Sequence, residues 1–227
     1  MSQKGRIAHK ETGEEDHRGG DVNIALIPAR GGSKRIPRKN MMDFCGMPLF
    51  LWSVRQAQAS KLIDKVVVST DDDEISACAV EYGADVVRRG KANATQTLDD
   101  VVSHFLANYE KPNKIVLLQP TSPIRLPGDI DRCIDKGRSG SAFSGHWTND
   151  VFLWDHWRNP QNFYRGYRKL FGVKQFLENG SIYFFKPGYD RYGSIPKFYP
   201  MHKWQSVEID EPEDVEIVEF FMKKYII

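Results

Sequence analysis

Short apolar runs alternate with amphipathic stretches along most of the chain, and the two periods separate cleanly. Residues 22–28 are nearly continuously apolar and predict a buried parallel strand, and residues 65–69 and 114–118 repeat that pattern. Between them, helical spacing over residues 48–60 places Pro48 in a first turn. A second helix follows Thr70 or Asp71 as cap, with Ile75, Ala79 and Val80 inward and Gly83 as a left-handed stop. A short strand around residues 85–87, an amphipathic helix over 97–109, a helix beginning near Pro127 and a strand over 141–144 continue the alternation. Residues 181–185 return to the sheet, residues 206–209 form a last strand, and Pro212 opens a closing helix. Strands alternating with helices predict an α/β, doubly wound, mostly parallel Rossmann-like sheet.

Two segments break the pattern. Residues 1–21 carry four basic and five acidic residues and almost nothing apolar, so they form a tail that adds nothing to a core. Residues 147–176 hold nine of the chain's 27 aromatic residues, among Arg158, Arg165, Arg168, Lys169 and Lys174, with neither period surviving. This is a small inserted lobe; an aromatic cluster under a long loop is the alternative reading. The main domain is then residues 22–146 and 177–227.

The charge is concentrated in one place. Between Arg30 and Lys39 stand five cations and no acid, directly after the first strand. Gly31 and Gly32 give that loop backbone freedom for N–H groups to converge on one anion, which suits a polyphosphate. The four-residue Walker spacing before Gly-Lys-Ser/Thr is absent, so a P-loop ATPase is excluded. A net charge of +2 argues against a nucleic-acid partner, and the longest apolar runs are far below the roughly 20 residues that span a bilayer. No cleavable signal with a basic start and apolar centre is read either, which predicts a cytoplasmic protein, and Cys45, Cys78 and Cys133, odd in number and widely spaced, are expected to be buried reduced thiols. The six histidines show no metal-ligand spacing and receive no catalytic role.

The loop Ile27-Pro-Ala-Arg-Gly-Gly-Ser-Lys-Arg-Ile-Pro-Arg-Lys-Asn40 resembles the signature of the acylneuraminate cytidylyltransferases, the CMP-sialic acid synthetases. Further stretches follow in that family's order: Val68-Ser-Thr-Asp71, Glu81-Tyr-Gly-Ala-Asp85, Leu117-Leu-Gln-Pro-Thr-Ser-Pro-Ile-Arg125, Glu178-Asn-Gly-Ser-Ile-Tyr183 and Val207-Glu-Ile-Asp-Glu-Pro-Glu-Asp214. The resemblance implies a CTP-dependent nucleotidyltransferase acting on a sialic-acid-like sugar acid, with Mg2+ as cofactor, and a homodimer formed through the lobe.

Carried over position by position, the resemblance puts Arg30, Gly31, Gly32, Ser33, Lys34, Lys39 and Asn40 on the nucleotide, with Lys39 and Arg30 at the reacting phosphates. Arg89 would reach the cytosine, although residues 90–97 depart from the family's Arg-Pro sequence. Gln119 and Asn179 carry neutral amides for the sugar acid, and Arg168 or Lys169 would meet its carboxylate. Glu208 and Asp210 stand two apart on an expected strand, on one face, and fit a shared magnesium site. The family has Asp at position 208 and Arg at position 177, where this chain has Glu and Leu. Two rivals stay open: a nucleotidyltransferase for another nonulosonate or a phosphonate, and a catalytically silent nucleotide-binding subunit.

Overall fold

In the computed structural model, residues 22–90, 97–110, 112–148, 174–188 and 195–227 are described. The tail, most of the aromatic lobe, Arg168 and Lys169 lie outside them.

Strand β1 (Asn23–Pro28) is the centre of the sheet. It pairs in parallel with β4 (Lys65–Thr70) on one side and with β6 (Lys114–Leu118) on the other. Strand β5 (Asp85–Arg88) extends the first side in parallel. On the second side β8 (Gln175–Phe185) pairs antiparallel with β6 and with β7 (Ala142–Thr148), and β9 (Lys197–Pro200) closes the edge in parallel with β7. The order is β5-β4-β1-β6-β8-β7-β9. Four of these six neighbour pairs are parallel.

The pleat sorts the apolar residues by parity. Ala25, Ile27, Val116, Leu118, Ile182 and Phe184 face one core, shared with α1 (Leu49–Gln58), α2 (Asp73–Glu81) and α4 (Asp129–Gly137). Their neighbours Ile24, Leu26, Ile115, Leu117, Tyr183 and Phe185 face a second core against Val102 and Phe105 of α3 (Leu98–Asn108). Both faces are therefore covered, which is why the central strands read as continuous apolar runs. The closing helix α5 (Pro212–Tyr225) packs Val218 and Met222 on Leu49, Ile124 and Ile209.

Several expectations need correction. No strand covers residues 206–209. A 3-10 turn occupies Lys203–Ser206, closed by reciprocal bonds between His202 and Gln205, and an irregular segment follows. The edge position went to β9 instead, and the Ile209 N–H donates to the Thr121 carbonyl at 2.8 Å rather than to a ladder. The cap of α2 is Asp72, whose carboxylate accepts from the N–H groups of Glu74 and Ile75. Val80 is 62% exposed because it lies off the stripe that Ile75 and Ala79 define. Two-residue strands β2 (Asp43–Phe44) and β3 (Met47–Pro48) form a hairpin the apolar pattern did not announce. Its turn puts Cys45 and Gly46 at φ 54° and 86°. Gly83 holds the left-handed stop at φ 75°. Trp147, Thr148, Gln175 and Phe176 belong to paired strands, so the ends of the lobe are continuous with the sheet.

Candidate active site

The chain leaves β1 for β4 and β5 on one side and later returns to place β6 on the other. The carboxyl ends of β1 and β6 therefore diverge around a crevice, the place where open α/β sheets take ligands. A cleft of about 300 Å³ lies there. Pro28 ends β1 on its wall, Gln119, Pro120 and Thr121 come from the end of β6, and Thr97, Leu98 and Val101 come from the start of α3. Arg30, Ser33, Lys39, Asn40 and Arg89 line it as well, opposite Glu208 and Asp210. Of the residues expected from sequence, this brings eight together: Arg30, Ser33, Lys39, Asn40, Arg89, Gln119, Glu208 and Asp210.

The loop after β1 is braced at both ends. The Asn40 amide, buried, donates to the Arg30 carbonyl at 2.8 Å, so its side chain closes the loop on itself. The Gly31 N–H donates to Asp71 Oδ1 at 2.9 Å. A Cβ at Gly31 would overlap the Asp72 carboxylate, so the glycine permits a close approach between loop and α2 cap. Neither Gly31 nor Gly32 has positive φ, which removes the conformational reason expected for the pair. Arg38 does, at φ 56°, and its guanidinium is held by Asp72 at 2.7 Å and by Glu74. Arg35, exposed, pairs with Glu211 at 2.9 Å. Lys34 is exposed and stands outside the cleft lining.

Lys39 turns the other way. Its ammonium donates to the Ile209 carbonyl at 2.5 Å and to Asp210 Oδ1 at 3.2 Å, tying the basic loop to the acidic segment. Beside it, the Glu208 carboxyl is pushed up to about 7, first by burial and then by the Asp210 charge, with Lys39 opposing. Crowded carboxylates with insufficient positive charge between them are a donor set that attracts a hard cation. Magnesium needs only one or two such ligands when substrate phosphates supply others. Among the described residues no cluster of three or more His, Cys, Asp or Glu side chains that could hold a metal ion occurs. Burial pushes the Arg89 guanidinium down from its ordinary value, with Asp71 opposing and Arg30 adding to the fall.

Gln119 reaches across to β8, its Nε2 donating to the Gly180 carbonyl at 2.8 Å. Gly180 has φ 64°, and a Cβ there would lie 2.7 Å from both Gln119 Nε2 and Glu208 Oε1. Asn179 does not line the cleft. It is 2% exposed, and its amide is committed to Ser144, Ser181, Ser206 and Met201.

The cytidylyltransferase family model matches residues 24–221, which spans β1 to the middle of α5 and every wall of the cleft. The chain belongs to the cytidylyltransferase family. Among similar proteins, the pseudaminic acid cytidylyltransferase of Campylobacter jejuni is 56% identical over 62 residues, 27% of each chain. N-acylneuraminate cytidylyltransferase B of Danio rerio is 33% identical over 214 residues, covering 86% of this chain and 50% of that protein. The aligned chain thus spans half or less of the length of these two relatives. A solved structure of CMP:2-keto-3-deoxy-manno-octonic acid synthetase complexed with CTP superposes with a TM-score of 0.70 at 17% identity, covering 90% of this chain and 99% of that one. That likeness places this member of the cytidylyltransferase family in the same α/β fold.

Four contributors to the site escaped sequence reading. Thr97, Leu98 and Val101 lie on a helix whose pattern announced only its buried face. Arg125 ends a quoted motif, but nothing in the sequence gave it a task. Its guanidinium, 2% exposed, donates to Ser53, Gln56 and the carbonyls of Gln119 and Ser181, so it pins the loop after β6 to α1 and β8. Burial pushes it down to about 9, with Asp129 opposing.

Proposed function

We propose that this protein joins CMP from CTP to the anomeric hydroxyl of a 2-keto sugar acid of the nonulosonate class, releasing pyrophosphate. The observation that carries the reading is the convergence, in one crevice, of Arg30, Lys39 and Arg89 with Glu208 and Asp210. Cations suit a triphosphate, and a carboxylate pair suits the magnesium that accompanies it. The names of the relatives, which specify cytidylyl transfer to pseudaminic and N-acylneuraminic acids, support the acceptor class.

In this reading the acceptor oxygen attacks the α-phosphorus, the bond to the bridging oxygen of the β-phosphate breaks, and the hydroxyl proton leaves to solvent. Lys39 and Arg30 stabilise the charge that grows on the phosphoryl oxygens. Ser33 contributes a hydroxyl to the phosphates, and Arg89 meets the base end of the nucleotide. Gln119, with Nε2 already donating to Gly180, presents its amide oxygen to an acceptor hydroxyl. Asp210 and Glu208 hold the metal, which when bound neutralises phosphate charge and orients the leaving group. Arg168 or Lys169 remains the proposed contact for the sugar carboxylate.

A homodimer in the cytoplasm completes the proposal. Trp147 and Phe198 are exposed on one face of neighbouring strands, with Phe176 stacked on Phe198 at 4.6 Å and Trp147 edge-on to both rings, an apolar surface suited to a partner. The thiols Cys45, Cys78 and Cys133 are free, as a reducing compartment keeps them. Among the described residues no helix is long and apolar enough to cross a membrane.

The test is pyrophosphate release from CTP and Mg2+ against a panel of sugar acids. Release with a nonulosonate and with no other acceptor is expected. Release only with a non-sugar acceptor would replace the acceptor class, and no release with any acceptor would make the chain a silent nucleotide-binding subunit.

A further inference from the structure

The carboxylates proposed to hold the metal sit on a segment with little backbone support. Between the 3-10 turn ending at Ser206 and the cap of α5 at Glu211, the Ile209 backbone makes the ties to other elements: its N–H donates to the Thr121 carbonyl in the loop after β6, and its carbonyl accepts from Lys39 Nζ. Asp210 and Glu211 N–H groups both donate to Asp214, which ties them to α5 only. Upstream of Glu208 the chain is held by Gln205, whose Nε2 donates to the Ile124 carbonyl at 3.3 Å and to Asp129 Oδ2 at 2.7 Å, by Val207 packed on the core around Leu49 and Ile124, and by Ser206, whose side chain ties it to β7 and β8.

Ser206 Oγ accepts from Asn179 Nδ2 at 3.2 Å and lies 2.9 Å from His146 Nδ1. A hydroxyl has one proton and two lone pairs, so Ser206 either donates to a bare Nδ1 or accepts from an Nδ1–H, and in both cases it links His146 to Asn179. Asn179 is in turn bonded from several sides. Its Oδ1 accepts from Ser144 Oγ at 2.7 Å and from the Ser181 N–H at 3.2 Å, and Ser144 Oγ accepts from the Ile182 N–H at 2.8 Å. The backbone carbonyl of Asn179 accepts from Ser122 Oγ at 3.3 Å, in the loop after β6. Ser144, His146 and Asn179 are 1%, 6% and 2% exposed and Ser206 is half-buried, so the inner bonds of the chain are shielded from water.

We infer that Asn179, Ser206 and His146 form a positioning relay that anchors the segment carrying Glu208 and Asp210 to β7 and β8. Asn179 is then a positioning residue for the metal ligands, not a contact of the acceptor as its motif implied. Residues that orient ligands of a metal from one step behind commonly change affinity ten- to a hundredfold when lost. This inference rests on the proposed metal site, but its readout does not need turnover.

The experiment is Mn2+ binding by electron paramagnetic resonance, with CTP present, for the parent, Ser206→Ala, Ser206→Thr and His146→Phe. Ser206→Ala and His146→Phe are expected to weaken Mn2+ binding at least tenfold, and Ser206→Thr, which keeps the hydroxyl, to restore it. Circular dichroism melting guards against a general loss of fold. In parallel kinetics, Ser206→Ala should raise the Mg2+ concentration for half-maximal rate while leaving the sugar-acid KM within about twofold. Mn2+ affinity unchanged in Ser206→Ala, or a change confined to the sugar-acid KM, would overturn the relay. If the parent binds Mn2+ through Asp210 but releases no pyrophosphate with any acceptor, the proposed reaction fails while the relay is still decided by the Mn2+ measurements.

Discussion

The ammonium of Lys39 and the carboxylate of Asp210, 171 positions apart in sequence, stand 3.2 Å from one another. Asp210 is about half exposed, whereas Lys39 is nearly covered, so the lysine is held in place chiefly by the Ile209 carbonyl it also meets. A cation already resting at the carboxylates marks where positive charge is favoured when phosphates arrive. It also puts Lys39 within reach of both groups that the proposed transfer uses.

Lys39→Ala is expected to lower kcat far more than it weakens CTP binding. Charge at the reacting phosphate grows during attack, and loss of one such donor typically costs about 3–4 kcal/mol of transition-state stabilisation. Steady-state kinetics beside a calorimetric CTP titration separate the two. A change confined to KM would move Lys39 to ground-state binding.

Asp210→Asn should abolish pyrophosphate release by two or more orders of magnitude while the fold persists. Asn keeps size and hydrogen bonding but lacks the charge a hard cation requires. The lost ion pair is half exposed and worth about 0–1 kcal/mol, so melting should shift by no more than about 4 °C. Parental rate with parental magnesium dependence would remove Asp210 from the metal site.

Glu208→Gln should stabilise the metal-free protein at alkaline pH. The folded carboxyl titrates near 7 against an ordinary value of 4.5, mainly because burial penalises the charge. Between those values the native state binds the proton and the unfolded state does not. The group's favourable contribution is therefore complete below 4.5 and lost as pH rises through 7. Melting in EDTA at pH 5 and pH 8 checks this. The variant should gain on the parent by a few degrees at pH 8 and match it at pH 5; equal melting at both would mean that Glu208 is not strained by burial.

Gly180→Ala should damage activity beyond its effect on stability. Its φ of 64° makes any side chain costly by about 1–2 kcal/mol, and the added Cβ would press on Gln119 and Glu208. Gly83→Ala is the control. It carries the same kind of strain at φ 75°, but its nearest neighbour is Gln58 Nε2 at 3.6 Å. Comparable unfolding energies with activity lost only in the Gly180 variant are expected; equal activity in both would detach Gly180 from the site.

Much of this protein was legible along the chain because its signals are local. Ile24 to Ile27 and Ile115 to Leu118 are apolar on both faces, which only a covered parallel strand requires, and the cations from Arg30 to Lys39 crowd into a loop that needs an anion. What stayed hidden is set by contacts between distant residues. Glu208 and Asp210 alternate like a strand, yet the Ile209 N–H between them donates to Thr121 and the Asp210 N–H to Asp214, and the sheet edge is taken by Lys197–Pro200. Asn179 carries the amide a sugar pocket wants, but Ser144 and Ser206 reach it first from two other elements. Gly31 is needed for its approach to Asp72, not for its backbone angles. Periodicity reports which face of an element is buried; only the fold decides which polar group meets which, because a hydrogen bond depends on ångström-scale placement that no spacing rule encodes.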